Sequence, residues 1–367
     1  MRWKDDPAAV RPMLATLAEA PLTGAGLVYE PKYDGIRALV HVAPGKSGGV
    51  RIWSRLGNDK TSQFPSLARE LESLRKALKA PLLLDGEIVA LDSRGAPAGF
   101  QNLQGRIHLK GERDVAAVDK TQPVALIAFD LLCDGVDDVR GLALTERRAR
   151  LEKHVSKFVT STLRISEQVA ADGRALHARA VKEGWEGLIA KEARAPYQSG
   201  RRSPSWRKIK LLTEQEFIVG GWTEPRQTRQ YFGALLLGIR EGKVITYVGH
   251  TGTGFDQKEL ARVWTLLKSR EVDRSPFSTR IKTNEPAHWV TPDLVAQVRF
   301  TQWTADDKLR HPVYLGLRDD KEPDQVVREA PAARASGRRA APRSGARERA
   351  ARGGGAPRAV INAGSRQ

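Results

Sequence analysis

The stretch Glu30-Pro31-Lys32-Tyr33-Asp34-Gly35-Ile36-Arg37-Ala38 decides how the rest of the chain is read. A lysine stands two residues before an Asp-Gly pair. Apolar, β-prone residues flank it, Gly26-Leu27-Val28-Tyr29 before and Ala38-Leu39-Val40-His41-Val42 after. That pattern predicts two strands joined by a tight loop that carries Lys32. Two readings fit the stretch alone: a surface hairpin with a solvated lysine, or a covalent nucleophile. An amine attacks only when unprotonated, and a free lysine has a pKa of about 10.4. The second reading therefore needs nearby positive charge or partial burial to lower that value.

The whole chain has 367 residues, 40% of them apolar, which predicts two domains and a tail. Its net charge is +18 and its pI about 10.2, so an acidic polymer, nucleic acid first, is the expected partner. From Pro331 to Gln367 there are nine arginines against one glutamate, and the body is basic even without them. The single cysteine, Cys133, excludes an internal disulfide framework and a Cys-rich zinc site and suits a reducing compartment. Cys133 itself is expected to be a small buried hydrophobe. No signal peptide and no membrane span are expected.

Outward from the lysine loop, Gly49 to Ser54 reads as a strand and Ser54-Arg55-Leu56-Gly57-Asn58-Asp59 as a turn. Phe64 to Ala80 carries Leu67, Leu71, Leu74 and Leu78 at helical spacing. Pro81 to Leu91 is an apolar strand interrupted by Asp85-Gly86-Glu87. Burying those carboxylates costs several kcal/mol unless they are paired or bind a cation; otherwise they face solvent at a sheet edge. Pro123 to Phe129 is a buried strand that runs into Asp130, and Gly187 to Lys191 is a short strand next to Glu186. Leu144 to Lys153 and Arg174 to Glu183 read as helices. Trp206-Arg207-Lys208-Ile209-Lys210 alternates, which points Lys208 and Lys210 to one face. Beyond Leu212 come short apolar strands with Gly-rich turns and a helix over Gln257 to Lys268, the pattern of a small β-barrel. Residues 329–367 contain too few large apolar residues to offset chain entropy, and disorder is expected there.

Together these stretches resemble the covalent nucleotidyltransferase superfamily, specifically ATP-dependent DNA ligases, and most closely the ligase domain of bacterial non-homologous end-joining ligases. The motifs occur in order along the chain. Lys32-Tyr33-Asp34-Gly35-Ile36-Arg37 matches the adenylated-lysine motif. Ser54-Arg55-Leu56-Gly57 follows, with Leu56 where the family usually has Asn. Asp85-Gly86-Glu87 and Phe129-Asp130-Leu131 come next, then Glu186 to Lys191 and Lys208-Ile209-Lys210. Arg318-Asp319-Asp320-Lys321 closes the series, preceded by Leu309 to Pro312 and Thr251 to Phe255.

The resemblance implies an α+β fold. A nucleotidyltransferase (ATP-grasp-like) domain of antiparallel sheets and helices spans 1–211. An OB-fold β-barrel spans 212–328, and a disordered basic tail spans 329–367. It implies Lys32 as nucleophile, helped by Lys208 and Lys210. ATP is held by Glu30, Arg37, Arg55, Glu87, Phe129, Lys191, Arg318 and Lys321, with Phe129 stacked on adenine. Mg²⁺ or Mn²⁺ is bound by Glu87 and Glu186. The ammonium groups of Lys191, Lys208 and Lys210 are expected to disfavour protonation of Lys32. The implied partners are nicked or broken duplex DNA and a Ku-type end-binding protein, for a monomer in the bacterial cytoplasm. His311 reads as structural, and Trp206, Trp222, Trp289 and Trp303 as packing residues. An RNA ligase or capping guanylyltransferase shares the lysine chemistry, and a non-catalytic DNA-binding module shares the fold. The residues at 309–321 argue against the first, and the intact lysine and carboxylate set argues against the second.

Overall fold

Strand periodicity explains the architecture. In the strand Ile36–Ala43, residues Ile36, Ala38, Val40 and Val42 point into one core, while Arg37 and Leu39 point the other way. The strand Leu82–Leu91 repeats the pattern, with Leu82, Leu84, Ile88 and Ala90 on the first face and Leu83, Asp85 and Glu87 on the second. A computed structural model describes residues 2–329, apart from 18, 19, 47, 110 and 227. The expectation of a disordered tail falls, from residue 330 on, outside the described residues.

The first sheet runs in the order Gly49–Ser54, Ile36–Ala43, Leu82–Leu91, Val124–Asp134, Asp137–Asp138. Its outer face is covered by the helix Pro65–Ala77, through Leu67, Leu71 and Leu74, and by the helix Leu144–Val155, through Leu151 and Val155. A second sheet has the order Leu14–Leu17, Arg202–Lys210, Gly187–Glu192, Thr23–Pro31, Val169–Asp172. The helix Arg174–Glu183 packs Leu176 and Ala180 on its far side. Between the two sheets lies a thin core of Met13, Leu39, Leu83, Phe129, Leu132, Tyr197 and Trp206. Most pairings are antiparallel; Leu14–Leu17 on Arg202–Lys210 and Leu163–Ile165 on Val124–Asp134 are parallel.

The Asp-Gly-Glu stretch does not interrupt its strand, nor does it lie at an edge. Leu82–Leu91 is continuous and central, and only its register against Val124–Asp134 shifts, between Leu83 and Leu84 and again between Asp85 and Gly86. The strand survives because Asp85, fully buried, is paired with Arg37 and accepts from the Tyr197 hydroxyl at 2.6 Å.

After Lys210 the chain passes through residues 211–213 into the strand Glu214–Thr223. That strand, Leu235–Glu241, Val244–Thr251, Ala287–Arg299 and Val313–Arg318 form a curled half-barrel, packed by Leu260, Val263 and Leu267 of the helix Gln257–Lys268. The Asp256 carboxylate caps that helix by accepting from Glu259 N at 2.7 Å. The α+β architecture of nucleotidyltransferase domain plus OB-fold is therefore present. The curled sheet meets the first two through named contacts. Lys60 pairs with Asp319 at 2.5 Å, and the Gln104 amide exchanges two 3.1 Å bonds with the Leu317 backbone. Among the described residues no helix is long and apolar enough to cross a membrane.

Candidate active site

Lys32 sits on the turn between the strands Thr23–Pro31 and Ile36–Ala43, as the loop pattern predicts. Its backbone N–H donates to the Gly187 carbonyl at 2.9 Å, which brings the turn beside Glu186. Two glycines make that approach possible. A side chain at Gly35 would run into the Ile88 carbonyl oxygen. Gly187 has φ +149° and leaves no room for a Cβ against Ile209.

The loop opens onto a cavity of about 320 Å³ lined by residues of all three sheets. Glu30, Lys32, Arg37, Arg55, Glu87, Phe129, Glu186, Lys191, Lys208, Lys210, Arg318 and Lys321 all border it. Residues drawn from stretches nearly 300 positions apart thus converge on one space.

The electrostatics of Lys32 differ from expectation. Its ammonium pairs with Glu186. Burial alone would pull its pKa down, but the Glu186 charge and hydrogen bond, with help from Asp34 and Glu87, hold it above the ordinary lysine value. The cations expected to oppose protonation are themselves neutralised. Lys191 Nζ lies 2.7 Å from Glu30, while Lys208 (2.7 Å) and Lys210 both reach Glu329. In this state Lys32 is an ammonium, and Glu186 must be neutralised by something else before the amine can attack.

Glu87 shows the complementary condition. Burial pushes its carboxyl up to about 7, against the pull of Arg37, Arg318 and Lys32. A folded-state value above the usual 4.5 means that protonation of Glu87 favours the fold. That contribution is complete below the unfolded value and is lost as pH rises through about 7. Glu87→Gln should therefore gain on the parent protein between pH 5 and pH 8 in metal-free buffer. Urea midpoints at the two pH values check this, and a constant difference would contradict it.

Arg37 is engaged differently from a free ribose or phosphate contact. It grips Asp85 with Nε (2.5 Å) and Nη2 (2.7 Å), donates to the Met13 carbonyl at 3.2 Å, and lies 4.7 Å over the Phe129 ring. Lys191 sits 4.4 Å from the same ring, and Trp206 meets it edge-on at 6.1 Å. Burial lowers the Lys191 pKa despite Glu30. Trp206 packs in the inter-sheet core, as expected, but also borders the cavity. Lys208 and Lys210 point to one face, as alternation predicts. Cys133 is buried and its thiol is pushed up to about 12, chiefly by burial.

From the curled sheet, Arg318 and Lys321 face the lysine loop. Arg318 pairs with Asp320 through two bonds of 2.7 and 2.8 Å and stacks 4.1 Å over Phe100. Lys321 pairs with Glu216 at 2.6 Å and is brought down to about 8 by burial. Arg55 donates to Gln325 at 2.7 Å.

Sequence reading did not single out Glu216, Gln297 or Glu329, and it included Asp320 only as part of the last motif. Glu216 and Gln297 alternate with apolar residues on strands of the half-barrel, a signal that predicts a solvated face. Nothing in the composition around Glu329 marks it.

Two carboxylates facing a lysine, with cations around them, suit a hard dication that keeps part of its coordination for substrate oxygens. Among the described residues no group of three or more ligating side chains occurs.

Comparison with known proteins gives the same direction. A sequence model of the ATP dependent DNA ligase domain matches residues 12–210, and one of the ATP dependent DNA ligase C terminal region matches 228–321. The multifunctional non-homologous end joining DNA repair protein LigD of Mycobacterium tuberculosis is 37% identical over 322 residues, which are 87% of this chain and 40% of that protein. The Pseudomonas aeruginosa LigD is 36% identical over 332 residues, 89% of this chain and 37% of its own. The chain thus spans about two fifths of the length of these relatives. A solved structure of mycobacterial DNA ligase D complexed with ATP and MES superposes with a TM-score of 0.63 at 35% identity, covering 88% of this chain and 99% of that one. With more than half of its length matched by the catalytic-domain model, the chain belongs to the family of ATP-dependent DNA ligases.

Proposed function

We propose that this ligase seals breaks in duplex DNA through an AMP adduct on Lys32. The observation that carries this is the convergence of Lys32, Glu87 and Glu186 with Arg55, Lys191, Lys208, Lys210, Arg318 and Lys321 on one cavity. Lys32 Nζ forms a bond to the α-phosphorus of ATP, the bond to the β-phosphate oxygen breaks, and pyrophosphate leaves. The amine loses its proton in the process. A 5′-phosphate oxygen of DNA then attacks the same phosphorus, the P–N bond breaks, and Lys32 regains a proton. The neighbouring 3′-OH attacks the 5′-phosphate, forms the phosphodiester and expels AMP.

Each group has a task that its position suits. Phe129, with Trp206 at its edge, offers a flat apolar face to the base, and Glu30 accepts from the adenine amino group. Lys208 and Lys210, on one strand face, hold the α-phosphate, with Lys191 behind them. Arg55, Arg318 and Lys321 receive the pyrophosphate. Arg37 contributes by fixing Asp85 and the Phe129 ring rather than by a free guanidinium. Glu87 and Glu186 would hold Mg²⁺ or Mn²⁺, which would supply positive charge to balance the Glu186 carboxylate and the phosphates. Reorientation of the half-barrel about residues 211–215 separates nucleotide binding from DNA binding. A disulfide across that connection should stop turnover at the adduct; unchanged ligation would contradict it.

Glu329 occupies the place proposed for a phosphate. Its carboxylate bridges Lys208 and Lys210, and although burial opposes ionisation, the two lysines bring it down to about 2. ATP must displace it. Glu329→Gln is expected to tighten ATP binding about tenfold at low salt. Isothermal titration checks this, and unchanged or weaker affinity would contradict it.

The relatives' names support non-homologous end joining as the setting; a Ku-type end-binding partner, a monomeric ligase and a bacterial cytoplasmic location belong to the same proposal. A pull-down that recovers no Ku-type protein would remove the partner. Radiolabelled ATP, GTP and NAD, followed by nicked DNA and nicked RNA, test the reaction itself. Labelling by ATP alone and sealing of DNA are the expected results; labelling by GTP or sealing of RNA only would overturn the reading.

A further inference from the structure

The cavity residues account for nucleotide chemistry, but one buried amide on the half-barrel touches both the nucleophile loop and the arginine opposite it. Gln297, on the strand Ala287–Arg299, is only 5% exposed. Its Oε1 accepts from Arg318 Nη1 at 2.6 Å. Its Nε2 donates to Asp34 at 3.2 Å and to Glu214 at 3.0 Å. The amide orientation is chemically forced, because a guanidinium only donates and carboxylates only accept.

Asp34 is two residues from Lys32. Its other oxygen accepts from the Phe100 backbone N–H at 2.9 Å, and the Phe100 ring lies under Arg318 at 4.1 Å. Asp34, Gln297, Arg318 and Phe100 therefore form a closed ring of contacts. Asp34 and Phe100 belong to the lysine-bearing part; Gln297 and Arg318 belong to the half-barrel. The ring exists only while the two parts are together. Among the described residues, no other side chain hydrogen-bonds to both Asp34 and Arg318. The Lys60–Asp319 pair and the Gln104–Leu317 bonds hold the parts together without touching the loop.

We propose that Gln297 is a positioning residue for the adenylation step: its amide carries closure of the half-barrel, through Arg318, to the nucleophile loop at Asp34. This rests on Lys32 being the nucleophile and on the half-barrel closing for the first step only. Closure then sets the place of Lys32 as well as delivering Arg318 and Lys321. Sealing of DNA that already carries AMP does not need the ring.

The full chain tests this in two assays. With Gln297→Leu, single-turnover formation of lysyl-AMP at saturating ATP and Mg²⁺ should fall about tenfold or more, since small misplacements of a reacting group are costly. The ATP dissociation constant should stay within about threefold, and sealing of a pre-adenylated nick within about twofold. That second assay also shows that the variant is folded. Gln297→Asn, which keeps the amide but shortens its reach, should lower the first step in the same direction by a smaller factor. An unchanged adenylation rate overturns the proposal. So does an equal fall in both assays, which marks a structural role, or a change in ATP affinity alone. If the parent protein itself forms no adduct, the assignment of Lys32 fails first and the proposal with it.

Discussion

Lys32→Ala is expected to lower formation of the AMP adduct by at least about four orders of magnitude, because removal of a nucleophile removes the step and not merely a share of its rate. The side chain is set on a turn held by a backbone bond to Gly187, so the alanine variant should fold normally. Overall nick sealing should vanish as well. Sealing of a pre-adenylated nick should persist, because that step needs the cations and DNA contacts but not the amine. Lys32→Arg should behave like alanine in the first step, since a guanidinium is not deprotonated. A labelled adduct that survives Lys32→Ala would move the chemistry to another lysine. Lys191 and Lys208, both of lowered pKa, would be the next to examine.

The second large effect concerns stability. Asp130 follows Phe129, is fully buried, and pairs with the equally buried Arg147 through bonds of 2.7 and 2.8 Å. Arg147 also donates to the carbonyls of Leu142 (2.6 Å) and Ala195 (3.0 Å). Asp130→Ala leaves that guanidinium charged with no carboxylate in the interior, and a loss of about 3–5 kcal/mol is expected. Replacing both partners, with Asp130→Leu and Arg147→Met, should cost less than the single change, because no uncompensated charge remains. Urea denaturation of the three proteins checks the ordering. If the double variant is the less stable, packing and hydrogen bonds rather than the stranded charge hold this region. The same measurement bears on function, since Asp130 fixes the strand that presents Phe129 to the cavity.

Much of the site was legible because its residues break local rules. Lys32 stands in a turn between strands, Glu87 in an otherwise apolar strand, and Glu186 at the mouth of a buried one. Such contrasts survive in one dimension. Helical periodicity also carried: the helices expected over 174–183 and 257–268 are observed there, and that expected over 64–80 spans Pro65–Ala77.

What sequence reading missed is pairing at a distance. Arg37 and Asp85 meet only because Ile36–Ala43 lies beside Leu82–Leu91 in register. That pairing keeps the Asp-Gly-Glu strand whole where propensity predicts a break, and it engages the Arg37 guanidinium with Asp85. Lys32 went the same way. The resemblance implies cationic surroundings, but Lys191 pairs with Glu30, Lys208 and Lys210 share Glu329, and Glu186 binds the nucleophile itself. Glu329 and Gln297 carry no sequence signature, since their importance comes only from the parts of the chain they meet.

The most direct measurement is tandem mass spectrometry of the full chain after incubation with ATP and Mg²⁺. The account predicts a single AMP, on Lys32, lost again when nicked duplex DNA is added. AMP on any other lysine, or a Lys32 adduct that nicked DNA does not discharge, would contradict it.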